Sequence, residues 1–240
     1  MRRRFFVDEV RNGQAKIVGE EARHLSRVLR VEPGQRYEIS DNRNVYLAEV
    51  ETAHKENVVF RTIEKLPTAP PAACIELYAA LIKFDRFEWI VEKATELGVT
   101  EIVPIEAARS ERGLEKAAAK RVDRWRRIAL EASQQSRRVH LPKIGEPVPL
   151  AQAIARTDGY RYVLDENQGG ASLLQALPQV RSAQDTVAIL TGPEGGWTDE
   201  ERASFIAAEW TPVSMGPLIL RAETAVTAAL AVVSQAWLLN

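Results

Sequence analysis

The chain has almost no charge imbalance, a single cysteine and no long apolar run, and each shortage narrows what it can be. A formal net charge of -1 over 240 residues gives no global attraction to a polyanion, so any nucleic-acid site must be a local patch. Cys74 stands alone, which excludes an intrachain disulfide and fits a reducing, cytoplasmic setting. It lies in an alternating apolar run, where a buried and inert thiol is expected. The most apolar stretch, Ala225 to Leu239, carries Thr227, Ser234 and Gln235. It is shorter than the roughly 18 residues a membrane span needs, so no membrane partner is expected. Arg2, Arg3 and Arg4 open the chain as a signal peptide would, but Asp8, Glu9 and Arg11 break the apolar segment that must follow. There is no cysteine pair, no HExxH, no other metal-ligand cluster and no GxSxG elbow. The parts for metal-assisted hydrolysis and serine-type acyl transfer are therefore missing, and no metal is expected.

What is present is concentrated toward the C-terminus. Val187, Ala188, Ile189 and Leu190 form an apolar run of strand length that ends in the breaker-rich TGPEGG of Thr191 to Gly196. Thr198 and Glu201 then make a capping box, followed by Phe205, Ile206 and Trp210 as one apolar side. The segment reads strand, glycine loop, helix. A second unit repeats the layout, with a short strand around Val213 to Met215, a loop from Gly216 to Arg221 and a helix from about Ala222. Loops of this kind at the carboxyl ends of parallel strands are where open α/β sheets bind ligands, because glycine admits close backbone approach. Thr191 to Gly196 matches neither GxxxxGK[ST] nor GxGxxG, and Glu194 repels phosphate. A ligand with hydroxyls, an amine or an adenine edge fits better, with Leu218, Ile219 and Leu220 as an apolar wall for a flat ring. Spacing alone leaves a second reading, two tight strand-to-helix turns with a buried connection.

Residues 1–66 read as short strands at Phe5 to Val10, Ala15 to Val18, Arg36 to Ser40, Val45 to Val50 and Val58 to Ile63, with turns at Asn12-Gly13 and Asp41 to Asn44. One helix lies among them, its apolar side formed by Ala22, Leu25, Val28 and Leu29, with Arg23, Arg27 and Arg30 toward solvent; His24 is expected packed or hydrogen-bonded. A small β-barrel with one helix is the natural architecture. Pro67, Pro70 and Pro71 mark a stiff linker over residues 67–73. From residue 74 to 240 strands alternate with helices, as a mostly parallel α/β sheet covered on both faces requires. Asp85 is placed to cap a helix ending at Gly98, and Ile102 to Ile105 follows as a strand. The next helix, about Glu115 to Gln135, buries Val122, Trp125, Ile128, Ala129 and Ala132 and exposes Lys120, Arg121, Arg124, Arg126 and Arg127. It runs into Arg137, Arg138 and His140, the densest basic patch of the chain, a footprint suited to a phosphate backbone. For the mid-helix residues the alternative is a solvated face paired with Glu115, Asp123 and Glu131.

The sequences Gly192 to Gly196 (GPEGG) and Met215 to Ala225 (MGPLILRAETA) together resemble the paired C-terminal motifs of the bacterial 16S ribosomal RNA uracil-N3 methyltransferase family, a branch of the SPOUT superfamily. Further similar features are RRFFV at Arg3 to Val7, HLSRVLR at His24 to Arg30, KATELGV at Lys93 to Val99, Pro104, Ser110, QQSRR at Gln134 to Arg138 and LDE at Leu164 to Glu166. Leu218 departs from the arginine that the family usually carries there. The resemblance implies a PUA-like RNA-binding domain over residues 1–66 and a methyltransferase domain over 74–240 whose C-terminal segment forms a trefoil knot. It also implies a homodimer, and the last helix, with Val226, Leu230, Val233, Trp237 and Leu238, carries apolar surface in keeping with one.

Under this resemblance S-adenosylmethionine is held, through backbone atoms, by Leu190, Thr191, Gly192, Pro193, Glu194, Gly195 and Gly196 from the first loop and by Met215, Gly216, Leu218, Ile219 and Leu220 from the second, with Thr224 beyond it. Arg138 and Arg221 orient the target uridine of the small-subunit ribosomal RNA, and Glu223 accepts its proton; the alternative for Arg221 and Glu223 is a structural ion pair at the helix start. Arg2, Arg3, Arg4, Arg23, Arg27, Arg124, Arg137 and Arg138 contact RNA. Two alternatives stay open, a methyltransferase of the same fold acting elsewhere on RNA or on a ribose hydroxyl, and a non-catalytic RNA-binding or ribosome-assembly protein.

Overall fold

In the computed structural model, which describes residues 4–155, 158–167 and 170–239, the chain forms two units, Met1–Ala69 with Ser133–Leu141, and Pro70–Ala132 with Pro142–Asn240. Arg2 and Arg3, expected as RNA contacts, lie outside the described residues.

The first unit grows from short alternating strands joined by tight turns. Its strands are β1 (Arg4–Phe6), β2 (Val10–Arg11), β3 (Gln14–Val18), β4 (Arg36–Ser40), β5 (Val45–His54) and β6 (Asn57–Leu66). They hydrogen-bond in the order β1-β4-β5-β6-β3-β2, with β1 parallel to β4 and the other pairs antiparallel. The strand expected from Phe5 to Val10 is two strands, with a bend at Asp8 between them. Asn12 and Gly13 close the β2–β3 hairpin with φ of 51° and 76°, the pair of positive values that a two-residue type I′ turn demands. Asp41 closes the next turn by accepting the amides of Arg43 at 3.0 Å and Asn44 at 2.6 Å. Helix α1 (Gly19–Arg27) buries Ala22 and Leu25 in a core with Phe5, Ile17, Ile39, Val50 and Phe60. Val28, expected on that buried side, falls past the last helical residue and is exposed; His24, expected packed or hydrogen-bonded, is exposed as well.

Residues 133–141 complete this unit through polar contacts that reach far along the chain. Glu38 accepts Arg4 Nη2 at 2.7 Å and Arg4 Nε at 3.1 Å, and pairs through its other oxygen with Arg137. Ser40 Oγ donates to the Val139 carbonyl at 2.6 Å, and Gln134 Nε2 donates to Glu21 at 2.6 Å.

The second unit is a parallel sheet. Its strands, β7 (Cys74–Ala80), β8 (Glu101–Glu106), β9 (Lys143–Ile144), β10 (Val148–Pro149), β11 (Tyr160–Leu164), β12 (Thr186–Thr191) and β13 (Thr211–Val213), run in the order β10-β8-β7-β12-β11-β13, with β9 beside β8. The helices are α2 (Phe84–Glu96), α3 (Leu114–Ala118), α4 (Val122–Gln135), α5 (Leu150–Ile154), α6 (Leu173–Ala176), α7 (Asp199–Ala207) and α8 (Ala222–Leu238). Strand alternation sorts β7 between two cores. Ile75, Leu77 and Ala79 pack with α2, α4 and α8, while Tyr78 and Ala80 pack with Trp197, Phe205 and Trp210. Both faces of the sheet are thus buried, as an all-parallel sheet requires.

Several local expectations are corrected. Asp85 lies inside the first turn of α2, and the N-cap is Lys83, without a side-chain cap. The long helix is interrupted by a 3₁₀ turn at Ala119–Arg121. Ile206 is exposed, because it lies about 100° round α7 from the buried Phe205. Four of the apolar residues singled out on α8, Val226, Leu230, Val233 and Trp237, are buried within their own unit. Leu238 alone of that set is exposed, so this stripe gives no separate argument for a dimer. Cys74 is half-buried, with Sγ 3.2 Å from Thr100 Oγ1.

Candidate active site

A cavity of about 520 Å³ opens at the carboxyl ends of β11, β12 and β13, where the chain leaves each strand through residues 164–166, 191–197 and 214–222. This is the end of an open α/β sheet where ligands bind. Its volume falls within the few hundred to about 1,000 Å³ usual for small-molecule sites.

The first loop is shaped from beneath by Trp197. Its indole is fully buried and donates from Nε1 to the Leu164 carbonyl at 2.9 Å, tying the end of β11 to the loop after β12. Gly192 lies against that ring, and a Cβ there would stand 2.9 Å from Trp197 Cε2, so only glycine fits. The amide of Gly196 donates to the Pro193 carbonyl at 2.9 Å, closing a turn in which Gly196 has φ of 67°. Arg109 donates from Nη1 to the Gly195 carbonyl at 2.9 Å, and Arg86 pairs with Glu194. The loop hands over to α7 through the predicted capping box, with the Thr198 hydroxyl accepting the Glu201 amide and the Glu201 carboxylate accepting the Thr198 amide. The other oxygen of Glu201 accepts the Ala108 amide at 2.8 Å.

Asp165 and Glu166 add two carboxylates to the cavity. Arg202 holds both, through Nε to Asp165 at 2.8 Å, Nη2 to Asp165 at 3.1 Å and Nη2 to Glu166 at 3.1 Å, and it also donates to the Trp197 carbonyl at 2.8 Å. Burial alone raises the Asp165 carboxyl; the Arg202 bonds and the Asn167 amide outweigh it and hold the group below its usual range. A depressed carboxyl contributes stability above the ordinary aspartate pKa of about 3.9 and loses it as pH falls through the depressed value. Asp165→Asn should therefore cost about 1.5–3 kcal/mol at neutral pH, the worth of a hydrogen bond to a charged group. In paired thermal melts the gap from wild type should close below about pH 4; a gap of constant size across that range would contradict the assignment.

The second loop rests on Ser214, whose hydroxyl lies 3.1 Å from both the Gly216 amide and the Gly216 carbonyl. Met215, Gly216, Leu218, Ile219 and Leu220 all line the cavity, and Leu218 and Ile219 are strongly exposed. Arg221, the N-cap residue of α8, lines it too.

The structure brings most of the expected cofactor residues together, Thr191 through Gly196 and the second-loop set, around one cavity. Leu190 and Thr224 are not among its lining residues; the Leu190 side chain is in the core and Thr224 is exposed. Glu223 does not line it either, and its Oε2 is buried without a hydrogen bond. Sequence reading missed Arg86, Trp197 and Ser214, and gave Asp165 and Glu166, part of the LDE feature, no role at the site. Asp165 and Glu166 were within reach, since they directly follow a strand in the same way as the glycine loop does; Arg86 has no comparable signal. The expected RNA-contacting arginines prove mostly paired. Arg4 and Arg137 share Glu38, Arg23 meets Glu56 at 2.9 Å, and Arg124 grips Glu88 with two bonds of 2.5 and 2.7 Å. Arg27 is exposed. Arg138 donates from Nε to the His140 carbonyl at 2.9 Å, and burial pushes its guanidinium down to about 10. Among the described residues no group of histidine, cysteine or acidic side chains could hold a metal ion, and no helix is long and apolar enough to cross a membrane.

A glycine-loop cavity at the strand ends of a parallel sheet, carried with a separate small mixed sheet, defines an α/β protein that binds a small molecule and has an accessory β module. Residues 69–234 match the family model of an RNA methyltransferase domain, and residues 17–63 that of an RNA methyltransferase PUA domain. The chain is 34% identical to ribosomal RNA small subunit methyltransferase E of Synechocystis, over 87% of this chain and 68% of that protein. It is 32% identical to the Bacillus subtilis protein of the same name, over 91% and 88%. Among solved structures, ribosomal RNA small subunit methyltransferase E from Neisseria gonorrhoeae, bound to S-adenosyl methionine, superposes with a TM-score of 0.87 at 26% identity, covering 98% of each chain. A putative methyltransferase from Legionella pneumophila, in complex with the same cofactor, gives 0.88 at 28% identity and the same coverage. The chain belongs to the ribosomal RNA small subunit methyltransferase E family.

Proposed function

We propose that the protein transfers a methyl group from S-adenosylmethionine to N3 of a uridine in the 16S RNA of the small ribosomal subunit. The observation that carries this reading is the single cavity formed by the two glycine loops at the ends of β12 and β13. The cradle fits the cofactor. Gly192, Gly195 and Gly196 leave backbone open where a Cβ would meet Trp197, Arg109 or Glu166, Leu218 to Leu220 offer an apolar wall for the adenine, and Asp165 and Glu166 supply acceptors for hydroxyls or an ammonium. When bound, the cofactor supplies an already activated methyl group, so placement of the acceptor nitrogen provides much of the rate.

The chain's own residues then have to hold an unpaired uridine and manage its N3 proton. Arg221, at the cavity, orients the base and stabilises the charge that develops on it; the resemblance gives Arg138, a residue of the first unit outside the cavity lining, the same role. Glu223 accepts the proton; a carboxylate oxygen that is buried yet takes no hydrogen bond calls for such an explanation. Residues 1–66 serve as the PUA-like RNA-binding domain, joined through the 67–73 linker to the methyltransferase domain of residues 74–240. The C-terminal knot and the homodimer implied by the resemblance belong to the same reading. Leu218, standing exposed at the cavity where the family usually has arginine, leaves one alternative open, action at another RNA position, which mapping of the modified nucleotide decides.

Calorimetric titration with S-adenosylmethionine, run beside a Gly195→Trp variant, tests the proposal. The wild type should bind and the variant should not. A wild type that binds neither alone nor with RNA present would overturn the enzyme reading in favour of a non-catalytic RNA-binding protein.

A further inference from the structure

The charged residues lining the cavity are Arg86, Asp165, Glu166, Glu194 and Arg221. Arg202, which does not line the cavity, neutralises Asp165 and Glu166 from behind. Arg86 and Glu194 differ from these. They pair with each other, both line the cavity, and their side chains remain 33% and 40% exposed. A half-exposed ion pair of this kind contributes little to stability, so opening it costs little.

The placement of each partner is not explained by its own element. Arg86 sits in the first turn of α2 (Phe84–Glu96), where a cation opposes the helix dipole. Glu194 occupies a central position of the Pro193–Gly196 turn, so its side chain springs from the tip of the loop. One positive fork and one carboxylate, adjacent on a cavity wall and held together only by each other, form a template for a molecule that carries one group of each sign. An α-amino acid head is such a molecule, with a carboxylate matched to a planar guanidinium and an ammonium matched to a carboxylate.

We propose that Arg86 and Glu194 are the receptor for the zwitterionic amino-acid head of the methyl donor. Their mutual pair opens on binding, Arg86 taking the ligand carboxylate and Glu194 the ligand ammonium. One charge-assisted pair is exchanged for two, so selectivity for the intact head arises without an unpaired charge on either side. The proposal rests on the reading that this cavity holds S-adenosylmethionine. It assigns specificity to two side chains, in addition to the backbone contacts of the loops.

The experiment compares S-adenosylmethionine with 5′-methylthioadenosine, which keeps the nucleoside and sulfur but lacks the amino-acid head, by calorimetry on the full chain. Wild type should prefer the intact donor by about tenfold or more, the size expected of two charge-assisted contacts. In an Arg86→Met, Glu194→Gln double variant that preference should collapse to within about threefold, with the affinity for 5′-methylthioadenosine unchanged. Arg86→Met alone should equalise the donor with its decarboxylated analogue, which retains the ammonium. A double variant that keeps the full preference overturns the proposal and leaves the cavity assignment standing. One that loses 5′-methylthioadenosine as well shows the pair to be a brace for the loop, and overturns it too. If wild type binds neither compound, the cavity assignment itself fails, and this proposal falls with it.

Discussion

An Arg221→Ala variant should turn over about 10²–10³-fold more slowly than wild type, the cost of removing one preorganised charge-stabilising donor, while its affinity for S-adenosylmethionine changes by no more than about threefold. The case rests on where the arginine sits. Arg221 is exposed, lines the cavity and occupies the N-cap of α8, where it makes no side-chain cap. A cation at the positive end of a 17-residue helix is unfavourable by a few tenths to about 1 kcal/mol. Stability therefore gives no reason for an arginine there. The melting temperature of Arg221→Ala should be unchanged or slightly raised, and that separates a role in the reaction from a role in the fold. Arg221→Lys keeps the charge but loses the planar fork, so it should recover only part of the rate. A turnover number within a few-fold of wild type in both variants would remove Arg221 from the reaction. The same split between rate and cofactor affinity is expected for Arg138→Ala, with a melting curve needed beside it because that side chain is half-buried and bonded to the His140 carbonyl.

The parts of this molecule that were legible in the sequence are those set by short-range physics. The TGPEGG run after four apolar residues announced a strand ending in a tight loop, and Thr198 with Glu201 announced the helix that follows; both hydrogen bonds of that capping box form. Asn12-Gly13 announced a hairpin turn because few other residue pairs accept two successive positive φ values. The cavity was half legible. Its backbone walls follow from glycine and from strand ends, but Arg86 reaches Glu194 from 108 residues away, and nothing in the local sequence of α2 marks that residue out. Charge pairing defeated the reading of the arginines in the same way. Arg124 reads as an RNA contact or as part of a face paired with Glu115, Asp123 and Glu131, yet Glu88 of α2 takes it with two short bonds, a partner no period or motif could supply. The excursion of residues 133–141 into the first unit has no sequence signature at all, since α4 runs on without a break while its last residues group with the first unit.

That excursion supplies the second large effect. Glu38→Ala should destabilise the first unit by about 3–5 kcal/mol, the range measured when one partner is removed from a buried ionic network. Glu38 and Arg4 are each only 11% exposed, and the one carboxylate serves two guanidinium groups, accepting Arg4 Nε and Nη2 at Oε2 and Arg137 at Oε1. Without it, two arginines face each other in a partly desolvated site, and Arg4 Nη1 keeps only the Arg137 carbonyl. Arg137 adds a backbone cost, because its φ of 58° lies in the left-handed region. A non-glycine residue is held there only when its surroundings over-determine it. Glu38→Gln retains the shape but only one of the two acceptor oxygens and none of the charge, with an amide nitrogen facing one guanidinium, so it should fall between wild type and alanine. Urea melts followed by a probe in the first unit measure the difference, and a loss below about 1 kcal/mol would mean that the network behaves as a solvated surface pair. The salt dependence of RNA binding in the same variants then sorts the arginines. If Arg4 and Arg137 are held by Glu38 as scaffold, freeing them in Glu38→Gln should steepen the slope of affinity against salt by up to about one phosphate contact for each arginine released. An unchanged slope would mean that these two arginines contribute nothing to RNA binding even when free, leaving exposed residues such as Arg27 to carry that role.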